Sequence, residues 1–318
     1  MELFISILLI ILGFLLLIKG ADILIDGSSA LASKWNISQL VIGLTIVSFG
    51  TSAPELIVNL FAAFEGSTSV SFGNIVGSNI ANIFLILGVA AIIKPLSTQK
   101  NTVWKEIPFT LLAGLVLLVL CNDSYFSPVS NVLSQSDGII LLLLFLLFIV
   151  YVFSISKAET VINFEVKQFS NLKISLFILG GLAGLMLGGK LVVDNAINIA
   201  AFFSVSERII GLTLVALGTS LPELFTTVIA VKKGEMDIGV GNVVGSNIFN
   251  VFFILGATSI ISPIPIFSAM NFDLLVMTTA SLFLFFSMFT GKKRVIDRWE
   301  GIVFLLLYLL YNTWLFSN

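Results

Sequence analysis

The sequence predicts an all-α integral membrane protein in which ten transmembrane helices form two inverted five-helix repeats. Hydrophobic residues make up 58% of the 318 residues and charged residues only 11%, whereas a soluble domain carries about 25% charged residues. Two polar motifs occur twice along the chain at one constant offset. The basic residues fall almost entirely on one side of the predicted helices. Together these features predict a duplicated protein that crosses the membrane many times.

The individual spans follow from apolar stretches of about 20 residues, the length that crosses a bilayer as a helix. We expect the first helix to continue from Glu2 to Ala32 and its counterpart to run from Leu172 to Phe203. Residues 1–158 then form the first repeat and residues 159–318 the second. The ten spans lie at roughly 3–19, 39–63, 71–93, 104–121, 138–156, 172–193, 207–231, 238–261, 272–290 and 299–316.

The repeat is carried by the sequences GTS-x-PE and GN-x-VGSN. The first begins at Gly50 and Gly218, the second at Gly73 and Gly241, and 218 − 50 and 241 − 73 both equal 168. The surrounding motif regions are 43–88 and 211–256. Because five spans is an odd number, the second copy enters the membrane from the opposite face, which predicts an inverted-topology pair. Duplication kept only for packing would preserve apolar faces rather than these polar residues.

The basic residues predict the orientation. When the loops are assigned alternately to two sides, one side carries 14 of the 16 Lys and Arg residues, and the other carries only Lys190 and Arg208. Cytoplasmic loops are enriched in Lys and Arg. We therefore expect a multi-pass protein of the plasma (inner) membrane with both termini on the extracytoplasmic side. A retained first span is expected, because Met1 to Phe4 lacks the basic region of a signal peptide.

Composition also excludes several functions. The chain has no His and a single Cys, Cys121, which excludes histidine catalysis, histidine metal sites and intrachain disulfides. No basic patch indicates nucleic acid. We expect no enzymatic activity, no cofactor and no obligate protein partner; the expected partners are the lipid bilayer and the transported ions.

The repeated GTS-x-PE motif predicts a break in the second and seventh spans. Pro54 has no N–H and crowds the carbonyl of Gly50, and Pro222 does the same to Gly218. Carbonyls freed at this depth must be satisfied by protein, water or an ion. Glu55 and Glu223 are the only acids that the sequence places deep inside a span, and such residues usually mark an ion pathway. A protonated Glu that ties helices together is the structural alternative.

The third and eighth spans supply further polar groups. Asn74, Ser78 and Asn82 recur every four residues and so share one helix face, as do their counterparts Asn242, Ser246 and Asn250. The accompanying GxxxG pairs have close helix packing as their ordinary meaning. Hydroxyl, amide and carboxylate oxygens together form a ligand set suited to Na⁺ or Ca²⁺.

At these motifs the chain resembles the calcium/cation antiporter superfamily, specifically a bacterial-type sodium/calcium exchanger. The resemblance covers essentially the full length and implies Ca²⁺ efflux driven by Na⁺ entry, with spans one and six sliding across the rest. It implies backbone carbonyl ligands near Ser48 and Ala216. It implies side-chain ion ligands at Thr51, Ser52, Glu55, Ser78, Asn82, Thr219, Ser220, Glu223, Ser246 and Asn250.

One position departs from part of that family. Potassium-dependent relatives and an archaeal-type member carry Asp where this chain has Asn250, and both copies here end in Asn. The expected site then holds two carboxylates, which one Ca²⁺ neutralises, and K⁺ co-transport is placed in doubt. Ca²⁺/H⁺ exchange stays open, because two protons are electrically equivalent to one Ca²⁺. A passive cation channel is the alternative from another class, and Ca²⁺ flux that needs no counter-ion would favour it.

Overall fold

The computed structural model describes residues 2–122, 131–156, 169–202 and 216–317. The described helical segments group into five helices in each half of the chain. In the first half they are α1 (Glu2–Trp35), α2 (α2a, Gln39–Thr51, and α2b, Ala53–Phe64), α3 (Thr68–Ile93), α4 (Thr102–Leu120) and α5 (Gln135–Ile155). In the second half they are α6 (Asn171–Phe202), α7 (α7a, Ala216–Thr219, and α7b, Leu221–Lys233), α8 (Met236–Ile261), α9 (Ser268–Ser287) and α10 (Arg298–Ser317).

Seven of the helices in the described ranges are long and apolar enough to cross a membrane, and the bent helix α2 makes eight. The two others are α7, whose preceding residues 203–215 lie outside the described residues, and α10. The predicted long first helix and its counterpart are confirmed as α1 and α6. The count of ten spans stays a prediction.

The offset of 168 residues recurs in the helix boundaries. Helix α3 begins at Thr68 and ends at Ile93, and α8 begins at Met236 and ends at Ile261, so that both ends differ by 168. Each of the two contains a π-helical segment at the equivalent place, Ala81–Leu87 and Phe249–Leu255. Gly66 and Gly234, also 168 apart, end α2b and α7b with φ of 75° and 86°, a backbone conformation that favours glycine.

The two halves contact each other reciprocally, as expected for a pseudo-two-fold relation. A Cβ on Gly13 would lie 2.8 Å from the carbonyl oxygen of Gly188, and one on Gly20 would lie 2.8 Å from that of Gly181. Since 13 + 168 = 181 and 20 + 168 = 188, these two contacts are equivalent. They also show that α1 and α6 pack antiparallel, with their backbones in close approach.

Four short strands within the described ranges continue this pattern. Strand β1 (Leu96–Ser97) pairs antiparallel with β4 (Val295–Ile296), and β2 (Val132–Leu133) pairs antiparallel with β3 (Ile264–Pro265). The first pair joins the α3–α4 connection to the α9–α10 connection. The second joins the α4–α5 connection to the α8–α9 connection. Each pair therefore holds one connection from each half of the chain on the same side of the molecule.

The apolar core is divided into two clusters. The larger one lies among α2a, α3, α4, α5, α7b, α8, α9 and α10. The smaller one joins α1 to α6 and reaches parts of α2a, α7b and α8. Helices α1 and α6 thus share a cluster of their own, outside the larger core that holds the central helices.

Candidate functional site

The site lies where α2 and α7 are broken. Ser52 separates α2a from α2b with φ −82° and ψ 7°, and Ser220 separates α7a from α7b with φ −86° and ψ 1°. The two parts of α2 meet at an angle of 46°. The breaks predicted from Pro54 and Pro222 are confirmed. They leave Glu55 and Glu223 in the first turn of the helices that follow, where the helix dipole favours a negative charge.

Both carboxylates are buried, and each is surrounded by hydroxyl groups from both repeats. Glu223 Oε1 accepts a hydrogen bond from Ser52 Oγ at 2.9 Å, and the hydroxyls of Thr51 and Ser246 lie beside this carboxylate. Glu55 Oε1 accepts a hydrogen bond from Ser78 Oγ at 3.4 Å, and the hydroxyl of Thr219 lies beside that carboxylate. The two carboxylates interact electrostatically with each other. Two acids 168 residues apart are thus brought into one buried polar cluster.

The hydroxyl groups link the two repeats in equivalent pairs. Thr51 Oγ1 donates to Asn242 Oδ1 at 3.0 Å, and Thr219 Oγ1 donates to Asn74 Oδ1 at 3.3 Å. Ser52 Oγ lies 2.9 Å from Ser246 Oγ, and the equivalent oxygens of Ser220 and Ser78 are 3.3 Å apart. The broken helix of each repeat therefore contacts the third helix of the other repeat.

Four asparagines form a second layer of contacts, which we call the asparagine clasp: Asn79, Asn82, Asn247 and Asn250. Asn82 Nδ2 donates to Asn247 Oδ1 at 2.9 Å, and Asn250 Nδ2 donates to Asn79 Oδ1 at 3.0 Å. Asn79 Nδ2 donates to the carbonyl of Asn247 at 3.1 Å, and Asn247 Nδ2 to the carbonyl of Asn79 at 3.4 Å. Asn82 and Asn250 are each the second residue of a π-helical segment, an irregularity that is frequent at functional sites.

Four buried oxygen atoms in this cluster have no hydrogen-bond donor among the residues that the structure describes: Glu55 Oε2, Glu223 Oε2, Asn82 Oδ1 and Asn250 Oδ1. Native proteins rarely leave buried polar atoms unsatisfied, because the desolvation cost is large. Carboxylate and amide oxygens are the ligands that Na⁺ and Ca²⁺ prefer. These oxygens belong to two carboxylates and two amides, a ligand set that fits a divalent cation or two monovalent ones.

The structure brings together most of the residues that the sequence singled out. Ser48 contributes its carbonyl, which accepts from Ser52 N at 3.0 Å and from Ser246 Oγ at 3.5 Å. Ala216 begins α7a, and its side chain lies outside the described residues. The predicted side chains that share the cluster are Thr51, Ser52, Glu55, Ser78, Asn82, Thr219, Ser220, Glu223, Ser246 and Asn250. Their assignment as ion ligands stays a prediction.

Three features differ from the sequence analysis or were missed by it. Glu106 is fully buried and bonded to Tyr151, and the sequence analysis did not single it out. Asn79 and Asn247 were not singled out, although they end the GN-x-VGSN motif. The close packing expected at the GxxxG pairs holds for Gly241 and Gly245, which meet α2a. The equivalent neighbours of Gly73 and Gly77, residues 208–216, lie almost wholly outside the described residues.

The chain matches known transport proteins over most of its length. The family model described as sodium/calcium exchanger protein matches residues 5–154 and 173–317. The chain is 30% identical over 347 residues to the sodium/calcium exchanger MaX1 of Methanosarcina acetivorans, covering 98% of this chain and 99% of that protein. It is 36% identical over 265 residues to the inner membrane protein YrbG of Escherichia coli strain K12, covering 80% and 79%.

Solved structures agree. The sodium-calcium exchanger NCX_Mj, soaked with 10 mM Na⁺ and zero Ca²⁺, matches with a TM-score of 0.84 at 34% identity, covering 97% of this chain and 98% of that chain. The described fold is therefore an all-helical membrane fold of the NCX_Mj type. The chain belongs to the sodium/calcium exchanger family, and the family expected from the two repeated motifs is confirmed.

Proposed function

We propose that this protein is a secondary active antiporter that exchanges Na⁺ for Ca²⁺ across the plasma membrane. Ca²⁺ efflux is driven by Na⁺ entry, and access to a site containing Glu55 and Glu223 alternates between the two sides. The observation that supports this most directly is the set of four buried oxygens without donors, two from carboxylates and two from amides, arranged in equivalent pairs. Two carboxylates balance one Ca²⁺, and Na⁺ accepts the same oxygen ligands.

The proposal includes an inverted-topology repeat in the membrane. Equivalent helices α1 and α6 pack antiparallel, which places the pseudo-two-fold axis across the helices rather than along them. If these helices cross the bilayer, that axis lies in the membrane plane, as in many secondary transporters. The carriers with this architecture bind substrate near the bilayer midplane, which is where both helix breaks would lie.

The orientation with outside termini is part of the same proposal. Lys233 at the end of α7b contacts Asp22 and Asp26 in α1, Gln99 contacts Asp237, and β1 pairs with β4. These contacts put the α3–α4, α7–α8 and α9–α10 connections on the same side, which is the side rich in Lys and Arg. The second strand pair joins two connections that are poor in basic residues. The rich side is cytoplasmic by the positive-inside rule.

The test is ⁴⁵Ca²⁺ flux in proteoliposomes with the Na⁺, H⁺ and K⁺ gradients varied one at a time. The proposal expects uptake that follows an outward Na⁺ gradient at clamped pH. Uptake that follows only a pH gradient would replace Na⁺ by H⁺ as the coupling ion, and uptake that needs no counter-ion would indicate a channel.

A further inference from the structure

We propose that Asn79 and Asn247 are positioning residues that determine which atom of Asn250 and Asn82 faces the transported cation; this inference rests on the function proposed above. A backbone carbonyl can only accept hydrogen bonds. Asn79 must therefore direct Nδ2 towards the carbonyl of Asn247, 3.1 Å away. Its Oδ1 is then left to accept from Asn250 Nδ2 at 3.0 Å.

The consequence for Asn250 is a fixed amide orientation. With Nδ2 held by Asn79, Oδ1 points away from that bond, and it is one of the buried oxygens without a donor. The reciprocal contacts of Asn247 fix Asn82 in the same way. An ionised Asp at position 82 or 250 would instead face an acceptor oxygen. The asparagine clasp therefore favours an amide over a carboxylate at positions 82 and 250. The carboxylates of the site are then those of Glu55 and Glu223.

The test is a double-mutant cycle on Ca²⁺ transport. Asn79→Ala should raise the KM for Ca²⁺ about tenfold, the lower end of what loss of an outer-shell partner costs a metal site, with little change in maximal rate. In an Asn250→Ala background the same substitution should change KM by less than about twofold, because its target is gone. Asn195→Ala, which removes a buried bond to Leu191 O in α6, is the control for a purely structural loss.

An equal effect of Asn79→Ala in both backgrounds, in an active wild-type protein, would overturn the positioning role. A wild-type protein without Na⁺-dependent Ca²⁺ flux would instead refute the proposed function, so the two failures are distinct.

A second inference rests on a different set of contacts, a charge cluster at the ends of α1 and α7b. Lys233 Nζ lies 2.7 Å from Asp22 Oδ1 and 2.6 Å from Asp26 Oδ1, and it donates to the carbonyl of Asp22 at 2.6 Å. All three ammonium protons are accounted for. We call this cluster the α1–α7b latch.

The equivalent position in the other half has its charges reversed. Adding or subtracting 168 relates Lys233 to Glu65 and Asp22 to Lys190, so an acid on α2b corresponds to a base on α7b. In the structure Lys190 contacts Asp194, one turn further along α6, at 3.2 Å, and its side chain is 73% exposed. Glu65 is also exposed. Lys233 with Asp22 and Glu65 with Lys190 are therefore two equivalent pairs of opposite charge. The described conformation brings only the first pair into contact.

Apolar packing shows the same asymmetry. Phe225 and Ile229 of α7b pack against the α1–α6 cluster, and the rings of Phe225 and Phe14 are 5.9 Å apart. Their equivalents on α2b, Ile57 and Phe61, are 44% and 65% exposed. The α1–α6 unit thus lies against α7b and leaves this face of α2b uncovered.

In the mechanism implied by the family resemblance, α1 and α6 slide across the other helices. We infer that Glu65 pairs with Lys190 in the second conformation that this motion gives, with α6 then covering α2b. The α1–α7b latch stabilises the conformation described here, and the Glu65–Lys190 pair stabilises the other. Ligands then shift the population between two states that are each held by one charge cluster. With the orientation proposed above, the described conformation is closed at its cytoplasmic end.

The test uses a single cysteine at Phe61 in a Cys121→Ala background and a membrane-impermeant thiol reagent added outside. Lys233→Gln should slow labelling about two- to fivefold, the range expected from the loss of a partly exposed ion pair. Glu65→Lys and Lys190→Glu should each leave labelling at least as fast as in the wild type, because each breaks the pair that holds the second conformation, and the Glu65→Lys/Lys190→Glu double variant should return it to the wild-type rate. Lys232→Gln, at the exposed neighbour of Lys233, is the matched control.

Labelling that is unchanged by Lys233→Gln, or slowed equally by Lys232→Gln, would overturn the latch. The assay reports a conformation and needs no transport, so its outcome is independent of which ion drives exchange.

Discussion

Replacing Glu223 by Gln removes one of the two negative charges in the site and little else. The side chain keeps its size and one oxygen, and the hydroxyls of Ser52, Thr51 and Ser246 remain in place. At an effective dielectric constant of about 20, two unit charges 4 Å apart attract by about 4 kcal/mol, and a divalent ion doubles that figure. The substitution also removes the free-energy cost of burying the charged carboxylate, and this offsets part of the loss.

A net loss of only about 3 kcal/mol already lowers ion affinity about 100-fold. We therefore expect Glu223→Gln, and equally Glu55→Gln, to lower Na⁺-driven ⁴⁵Ca²⁺ flux by about 100-fold or more while the protein still inserts and folds. Glu106→Gln is the matched control, since Glu106 is also a fully buried acid, and its carboxylate accepts a hydrogen bond from Tyr151 of α5. Ca²⁺ flux at the wild-type level in Glu223→Gln would show that this carboxylate does not bind the transported ion.

The remaining predictions concern orientation, packing and ion dependence. Single cysteines at Ser67 and Ser134 should react with an impermeant thiol reagent from outside, and one at Ser170 only from the cytoplasm; labelling of position 170 in intact cells would reverse the orientation. Gly181→Ala should destabilise the protein by about 1–3 kcal/mol, because its Cβ would lie 2.7 Å from Leu24 Cβ. A Cβ on Gly180 would lie 3.8 Å from Ile23 Cδ1, an ordinary van der Waals distance. Gly180→Ala should therefore leave the thermal midpoint unchanged. Wild-type flux should proceed without K⁺, and Asn250→Asp should change its K⁺ or pH dependence; a wild-type protein silent until K⁺ is added would contradict this.

The local chemistry of the breaks could be predicted from the sequence. Pro54 and Pro222 lack a backbone N–H in any tertiary structure. The interruptions at Ser52 and Ser220 therefore follow from residues within one turn. The long helices α1 and α6 follow from the length of their apolar stretches. The constant offset also indicated which positions correspond in the two halves.

The contacts between the halves could not be predicted in the same way. The role of Asn79 depends on the backbone of Asn247 in the other repeat, and an offset relates equivalent positions without showing which of them touch. Glu106 was missed because its burial comes from packing against α5, where Tyr151 meets it. The asymmetry between Lys233 and Glu65 is visible only once α1 is placed against α7b.

In the function proposed above, a Na⁺ gradient drives Ca²⁺ movement through the site at Glu55 and Glu223. Its most direct test is ⁴⁵Ca²⁺ uptake into proteoliposomes loaded with Na⁺, with pH and K⁺ held equal on both sides. We predict rapid uptake on dilution into Na⁺-free buffer, no uptake when Na⁺ is equal on both sides, and loss of uptake in both Gln variants. Uptake that is the same with and without the Na⁺ gradient would exclude Na⁺-driven exchange.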